Sequence, residues 1–213
     1  MAECGTGNEH RGGVTFVTEF DPRPTGGGSQ IRAAATVAAL AQHRSVHVVL
    51  VAASPDVGAT GNDFLSGLGV PVSLIPKRAL RCASRPLRMV VGPLSLVAPR
   101  LGNRLLPPFG VPEIDRPSGT LWLFKSGLLE ARRLPRTGGT VVDLDDIEDR
   151  VVRPRLELRA LMAWVRARAR RLRAQATANS VLVCSELDRE RLGQVANASV
   201  LANTYLIEPH EDR

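Results

Sequence analysis

The chain has 213 residues, of which 44% are hydrophobic and 23% charged, and its formal net charge is +7. This composition excludes a disordered or collagen-like chain, and the length suffices for one large domain or two small ones with a substantial core. The sequence contains no uninterrupted apolar run of about 18 residues, so no membrane-spanning helix is expected. No hydrophobic stretch precedes the first predicted strand, which argues against a signal peptide and makes the cytoplasm the expected compartment.

The cysteine and histidine content predicts neither a disulfide framework nor a metal site. There are three cysteines, an odd number, and they are widely spaced at Cys4, Cys82 and Cys184. The four histidines show no metal-ligand spacing. We therefore expect no metal and no tightly bound cofactor.

The first third of the chain alternates between strand and helix patterns. Three β-branched runs predict buried strands at residues 14–20, 46–53 and 71–75. Between them, an Ala-rich helix over 30–43, capped by Ser29, and a short helix over 62–68 are predicted. Strands and helices in this order indicate a parallel sheet with helices on both of its faces.

The remaining two thirds are less regular. Residues 78–117 are rich in Pro and Arg and predict one helix around 85–91 and no strand, whereas residues 120–124 fit either a short strand or the start of a helix. The clear later elements are strands at 140–144, 181–184 and 199–202, and a helix at 186–194 with Ser185 and Asp188 as a capping box. The fold class predicted is α/β, a Rossmann-like, doubly wound and mostly parallel sheet, over residues 13–205 and after a disordered tail at 1–12.

The positive charge is concentrated in one predicted helix. Between Arg150 and Arg173 there are nine arginines and one acid, Glu157. Leu158, Leu161 and further apolar residues at spacings of three and four predict a stripe that docks on the domain. A neighbouring stripe, expected to face solvent, consists of Arg155, Arg159, Arg166, Arg170 and Arg173. This stripe is either a solvated face or a contact for anionic lipid headgroups or an anionic substrate; no nucleic-acid partner is expected, since only Trp164 offers a stacking ring nearby.

A glycine-rich turn between the first strand and its helix is the first candidate site. Gly26, Gly27 and Gly28 precede a helix N-terminus, where free N–H groups point toward an anion. A plain tight turn is the competing interpretation. The spacing is not G-x-G-x-x-G, and no acid occupies the ribose-binding position after the second strand, so a dinucleotide fingerprint is weak.

An acidic cluster over residues 143–149 (DLDDIED) is the second candidate. Five carboxylates in seven residues are costly to crowd together unless they face water, a cation or a hydroxyl-rich ligand. They could accept hydrogen bonds from sugar hydroxyls or act as a base. Alternatively, Asp146 caps the Arg-rich helix and the other acids favour its positive end. Both interpretations stay open.

Four segments together resemble the N-terminal, "glycosyltransferase subfamily 4-like" domain of GT-B glycosyltransferases. They are TEFDPRPTGGGSQIR (18–32), VVDLDDIEDR (141–150), VLVCSELDRER (181–191) and VLANTY (200–205), in the family's order. Asp145 stands where the family has a histidine, and Ala202 where it has a proline. The resemblance implies a retaining enzyme that transfers a sugar from a nucleotide diphosphate sugar to a hydroxyl acceptor.

The resemblance also assigns roles to residues. The loop at Gly26, Gly27 and Gly28 borders the donor phosphates with support from Arg32, and Asp145 takes the catalytic position. Asp146 and Glu148 meet acceptor hydroxyls. A separate hypothesis is that the arginine stripe holds the domain against the inner face of a membrane that carries a lipid-linked acceptor.

The resemblance makes residues 13–205 the acceptor-side half of the enzyme. Residues 206–213 then begin a crossover, or a tail, and the donor-binding domain is expected to be absent from the chain. We accordingly expect the isolated chain to be inactive unless a separate subunit supplies that half. Two other classes stay open: a truncated, non-catalytic protein of the same fold that binds a partner, and a small Rossmann protein that binds NAD(P).

Overall fold

The structure, a computed structural model, describes residues 12–52, 63–77, 85–107, 119–129, 139–144, 158–193 and 195–202. The strands in these ranges are β1 Val14–Thr18, β2 Val46–Ala52, β3 Val72–Pro76, β4 Thr120–Phe124, β5 Thr140–Asp143, β6 Ser180–Val183 and β7 Ala198–Val200. The α-helices are α1 Gly28–Ala41, α2 Asp63–Gly67, α3 Arg85–Val97, α4 Pro99–Leu105, α5 Leu158–Thr177 and α6 Glu186–Leu192. A 3-10 turn at Ser126–Leu129 follows β4.

The seven strands form one sheet in the order β3-β2-β1-β4-β5-β6-β7, and every neighbouring pair is parallel. The Rossmann-like, doubly wound class predicted from the sequence is confirmed. β1 lies in the interior of the sheet, because Val14 pairs with Val46 of β2 on one side and with Thr120 of β4 on the other. The segment at residues 120–124, for which strand and helix were both open, is therefore a strand.

Two hydrophobic clusters hold helices against the opposite faces of the sheet. One cluster joins Phe16 and Val48 to α1 through Ala33 and Val37. Neighbouring strand residues point to the other face, as the two-residue period of a strand requires, and there they meet α5 and α6; this second cluster includes Val17, Val49, Ala174 and Leu192. Both faces are thus covered, which explains why the strand sequences are apolar almost throughout.

Residues 85–105 are more helical than the sequence predicted. The helix expected around residues 85–91 is α3, which continues through Pro93 to Val97, and α4 follows after Ala98 with Pro99 at its first position. Proline is well tolerated at the first position of a helix but not in its interior. A prediction from helix propensity therefore ends α3 before Pro93, which is too early. α3 and α4 lie mainly against each other and against α5. We call α3, α4 and α5 together the outer layer.

No helix within the described ranges is both long and apolar enough to cross a bilayer. The tail predicted at residues 1–12 lies outside these ranges except for Gly12, and so does the segment 206–213.

Candidate functional site

The order of the strands places a crevice at the carboxyl ends of β1 and β4. From β1 the chain winds outward to β2 and β3, and it then returns to add β4 on the opposite side of β1. In open α/β sheets, ligands bind at such a switch point, outside the carboxyl ends of the strands. This edge of the sheet is marked by the last residues of β1, β4 and β5, which are Thr18, Phe124 and Asp143.

The segments that leave β1 and β4 are tied to each other. The Thr18 hydroxyl donates to the Phe20 carbonyl at 3.0 Å and accepts from the Phe20 N–H at 2.9 Å, which turns the chain sharply after β1. The Phe20 ring meets Phe124 edge-on, with 6.1 Å between the centroids. The Nζ of Lys125 lies 4.7 Å from the Phe20 ring centroid, a cation–π contact. These contacts hold the segments after β1 and β4 together at this edge.

A buried ion pair connects α1 to the end of β5. Nη2 of Arg32 donates to both carboxylate oxygens of Asp143, at 3.0 and 3.2 Å. The Arg32 side chain is 5% exposed and that of Asp143 is 0% exposed, so water screens this pair very little. The Asp143 carbonyl also accepts from the Lys125 N–H at 2.8 Å. Asp143 thus holds the start of α1 and the end of β4 in place at once.

A second, partly exposed ion pair spans the same edge. Nζ of Lys77, which follows β3, lies 3.0 Å from a carboxylate oxygen of Glu19, which follows β1. The pair bridges over the end of β2, because β2 lies between those two strands. With both side chains accessible to water, it contributes little to stability, but it fixes charge at the rim of the crevice.

The glycine turn lies beside this edge and opens α1. Gly26, Gly27 and Gly28 are exposed, and Gly27 is the N-cap, its N–H donating to Oε1 of Gln30 at 3.0 Å. Gly26 has φ 140°, a conformation that side chains rarely adopt. At Gly28 an added Cβ would meet nothing within 4 Å. Packing within the described domain therefore does not require glycine at residue 28, and the space over it is open.

Several predicted site residues lie outside the described residues. They are Asp145, Asp146, Glu148 and Arg155. Of the acidic cluster at 143–149, the structure describes Asp143 and Leu144 alone, and Asp143 faces the interior rather than solvent. The predicted roles of the other acids stay predictions.

The predicted orientation of the Arg-rich helix is wrong at both ends. Arg159 and Arg166 are exposed as expected, but Arg173 is 3% exposed and its Nη2 donates to the Leu129 carbonyl at 2.6 Å. Leu158 and Leu161, expected to dock, are exposed instead. Arg173 is buried because the C-terminal half of α5 packs on the sheet through Ala174 and is also covered by α3 and α4. Arg170 is half-buried in the same region.

The start of α6 matches the prediction. The Ser185 hydroxyl accepts from the Asp188 N–H at 3.1 Å and donates to its carboxylate at 2.7 Å, and the Cys184 thiol lies 3.1 Å from that carboxylate. Burial raises the pKa of Asp188, but the hydrogen bonds from Ser185 and Cys184 and the charge of Arg191 outweigh it and hold the pKa below its ordinary value. This cluster caps a helix, which accounts for its geometry.

Sequence reasoning did not single out Glu19, Lys77 or Lys125 at this edge, and it expected Asp143 to face water or a ligand rather than a buried arginine. For Asp143 a signal existed: Arg32 is the one charged residue of the Ala-rich α1, and a charge in an otherwise apolar helix needs a buried partner. An acid that directly ends an apolar strand is the natural candidate. Nothing in the local sequence marks the other three.

These features define a Rossmann-like, doubly wound α/β domain whose candidate site lies at the β1/β4 switch point. Within the described ranges no cluster of His, Cys, Asp or Glu could hold a metal ion. No protein-family model matches the chain, and no curated protein sequence matches it.

Proposed function

We propose that the chain is the acceptor-side domain of a retaining glycosyltransferase that uses a nucleotide diphosphate sugar. In this proposal the turn at Gly26, Gly27 and Gly28 borders the donor phosphates, and the sugar passes to a hydroxyl acceptor. The observation that carries the proposal is the open space over Gly28, at the N-terminus of a helix beside the switch point. A glycine that the domain's own packing does not need is accounted for by a ligand that approaches the backbone there.

The surrounding charges support an anionic ligand at this edge. Lys125 directly follows β4, and the positive end of α1 adds to its charge, whereas the charge of Lys77 is balanced by Glu19. Arg32 would act through position rather than contact, since its pairing with Asp143 fixes the first turns of α1 and with them the glycine turn. The ligand phosphates would then meet backbone N–H groups.

The remaining roles follow from the resemblance. Asp145 would be the catalytic residue beside the acceptor, and Asp146 and Glu148 would bind acceptor hydroxyls. Neither a metal nor a tightly bound cofactor is part of the proposal. The donor-binding half would come from a separate subunit, and the domain would lie at the inner face of a membrane that carries the acceptor.

A small dinucleotide-binding protein has the same order of strands, so the sheet alone does not decide between the two. Two features favour the transferase. The glycines are consecutive rather than spaced as G-x-G-x-x-G, and the sequence after β2 reads Ala53-Ser54-Pro55-Asp56, with no acid at the position that usually binds a ribose hydroxyl.

The test is an NMR titration of the ¹⁵N-labelled chain with UDP-glucose, GDP-mannose, ADP-glucose and NAD(P). We expect at least one nucleotide sugar at millimolar concentration to shift the amide signals of residues 26–29 selectively. Weak binding is expected because the larger share of the donor contacts would lie in the other half of the enzyme. Saturable binding of NAD(P) at the turn, or no shift there with any nucleotide sugar, would contradict the proposal.

Two alanine variants make the titration sharper. Gly28→Ala places a methyl group in the open space and should weaken the shifts at residues 26–29 at least tenfold in apparent Kd. Gly67→Ala is the matched control, because an added Cβ there also meets nothing within 4 Å but lies at the end of α2. Equal apparent Kd values for the two variants would mean that the ligand does not bind at the glycine turn.

A further inference from the structure

The described part of the chain concentrates its exposed large apolar side chains on one layer. Nine such side chains are exposed in the described ranges, and six of them belong to the outer layer: Val90, Val97, Leu101, Leu105, Leu158 and Leu161. Val97 is 87% exposed and Leu158 is 73% exposed, so these are not partly covered core residues. Scattered single apolar residues are ordinary on a surface, but a concentration of this kind marks an interaction site.

On α3 the exposed residues form a continuous stripe. Pro86, Val90, Pro93 and Val97 are all exposed, and spacings of four, three and four residues place them on one face of the helix. The opposite face carries the buried Val91 and Ser95. α3 is therefore apolar on its inner and its outer face.

The contacts within the layer set the direction of its helices. Gly92 of α3 lies beside Val165 of α5, and Nε of Arg100 donates to the Ala176 carbonyl at 3.3 Å. α3 and α5 therefore run in the same direction, which places Val90 at the same end of the layer as the start of α5. α4 folds back along α3, because Gly102 packs directly against Ser95.

The charge of the layer has one sign. α3, α4 and α5 contain ten arginines and no acidic residue. Arg100, Arg104 and Arg159 are exposed and each directly neighbours an exposed leucine in the sequence, and Arg166 is exposed further along α5. An apolar stripe flanked by arginines, without any acid, is the pattern of helices that lie in the interface of an anionic bilayer.

We infer that the outer layer is a docking surface for an anionic lipid bilayer, in which the aliphatic side chains of α3, α4 and the start of α5 enter the headgroup region while Arg104 and Arg159 contact lipid phosphates. Association needs both signals, since neither a few aliphatic side chains nor a few arginines hold a protein on a membrane alone. The inference rests on the membrane placement in the proposed function and specifies the surface that would serve it, but it does not depend on the reaction. A failed vesicle experiment therefore leaves the proposed glycosyl transfer untouched, and the converse also holds.

Other occupants fit the surface less well. A second copy of the chain would bring arginines against arginines, because a two-fold interface places the same patch on both sides. Single-stranded nucleic acid would need exposed rings, whereas the exposed residues here are aliphatic and the half-buried Trp164 already carries Arg168 at 5.2 Å from its centroid. Protein interfaces are enriched in aromatic anchors, which this surface also lacks among its exposed residues.

The test is co-sedimentation of the chain with phosphatidylcholine vesicles that contain about 30% phosphatidylglycerol, against vesicles of phosphatidylcholine alone. We expect binding to the anionic vesicles, at least tenfold weaker binding to the neutral ones, and loss of binding as the salt concentration rises to about 0.5 M. No binding to the anionic vesicles, or equal binding to both kinds, would overturn the inference.

Two pairs of variants assign the binding to this surface. Leu101→Ser with Leu105→Ser should weaken vesicle binding at least tenfold, whereas Leu68→Ser with Leu187→Ser, at similarly exposed leucines elsewhere, should not. Arg104→Gln with Arg159→Gln should weaken it roughly thirtyfold, whereas Arg44→Gln with Arg189→Gln should change it much less. Equal effects of surface and control pairs would overturn the inference.

Two controls keep these outcomes interpretable. Circular dichroism checks that each variant is folded. If the double leucine variant does not fold, the double arginine variant decides the test, because glutamine is well tolerated at exposed helical positions. Light scattering without vesicles measures the mass of the chain. A dimer that the leucine pair dissociates would show that a second copy, rather than lipid, covers the surface, and would overturn the inference.

Discussion

The two sides of the sheet are covered in different ways. On one side, α1 lies directly on the strands: Ala33 and Val37 are buried, its one charged residue pairs with Asp143, and no large apolar residue of this fully described helix is exposed. On the other side, α5 covers the sheet and α3 and α4 cover α5, yet six large apolar side chains of this layer point outward. The α1 side is therefore closed by one layer of helices, whereas the other side carries a second layer whose exterior is apolar.

The largest expected effect is at the buried ion pair of the α1 side. Asp143→Ala leaves the Arg32 guanidinium without its carboxylate in the interior and should lower the free energy of unfolding by about 3–5 kcal/mol. Arg32→Met combined with Asp143→Leu removes both charges and should restore much of that loss. Urea unfolding measures both. A small effect of the single variant would mean that water reaches the pair.

Matched valines on the two sides should differ next most. Val37→Ala removes buried methyl groups between α1 and the sheet and should cost roughly 2–3 kcal/mol. Val97→Ala, at a side chain that is 87% exposed, should change stability by less than about 0.5 kcal/mol. Equal costs in urea unfolding would mean that Val97 is covered in solution, and the contrast between the two sides would then fail.

The junction of α3 and α4 offers a narrower comparison within the outer layer. An added Cβ at Gly102 would overlap the buried Ser95, so Gly102→Ala should destabilise the protein by about 1–3 kcal/mol. Gly92→Ala is the control: its Cβ would lie 3.8 Å from Val165, an ordinary contact, and alanine favours a helix by roughly 0.5–1 kcal/mol over glycine. If both variants are neutral in thermal unfolding, α4 does not pack on α3 as described.

The smallest expected effect is at the cap of α6, which belongs to neither region. Ser185→Ala removes the acceptor for the Asp188 N–H and should cost about 1 kcal/mol at neutral pH. Because the pKa of Asp188 is lowered in the folded state, its contribution is present above the unfolded value of about 4 and is lost as pH falls through the folded value. Asp188→Asn should therefore differ from the wild type at pH 7 and approach it in acid, as urea unfolding at several pH values can show.

Local signals predicted the strands well. The ends of every predicted strand lie within two residues of those observed, and residues 120–124 alone were left open between strand and helix. Short β-branched runs between turn residues have few other conformations. The cap at Ser185 was equally local. The sequence also located the glycine turn at the start of α1, although the helix begins at Gly28 rather than after Ser29.

Long-range partners could not be predicted in the same way. Arg32 and Asp143 are separated by 111 positions in the chain, and nothing near either residue identifies the other. The prediction of the orientation of α5 failed for a related reason. The periodicity of the helix shows which residues share a face, but the packing of α3 and α4 decides how many of its faces are covered. Since Pro93 and Pro99 obscured those two helices, Leu158 was assigned to the interior and Arg173 to solvent.

The position of β1 in the middle of the sheet also sets an order of events during folding. Val14 can pair with Val46 as soon as the first helix has formed, but its other neighbour, Thr120, arrives much later in the chain. Until then one edge of β1 is bare, and the nascent protein exposes an apolar strand that could pair with the wrong chain. Because contacts between distant segments form slowly, we expect the pairing of β4 with β1 to be a late step that leaves the chain open to aggregation until it is complete.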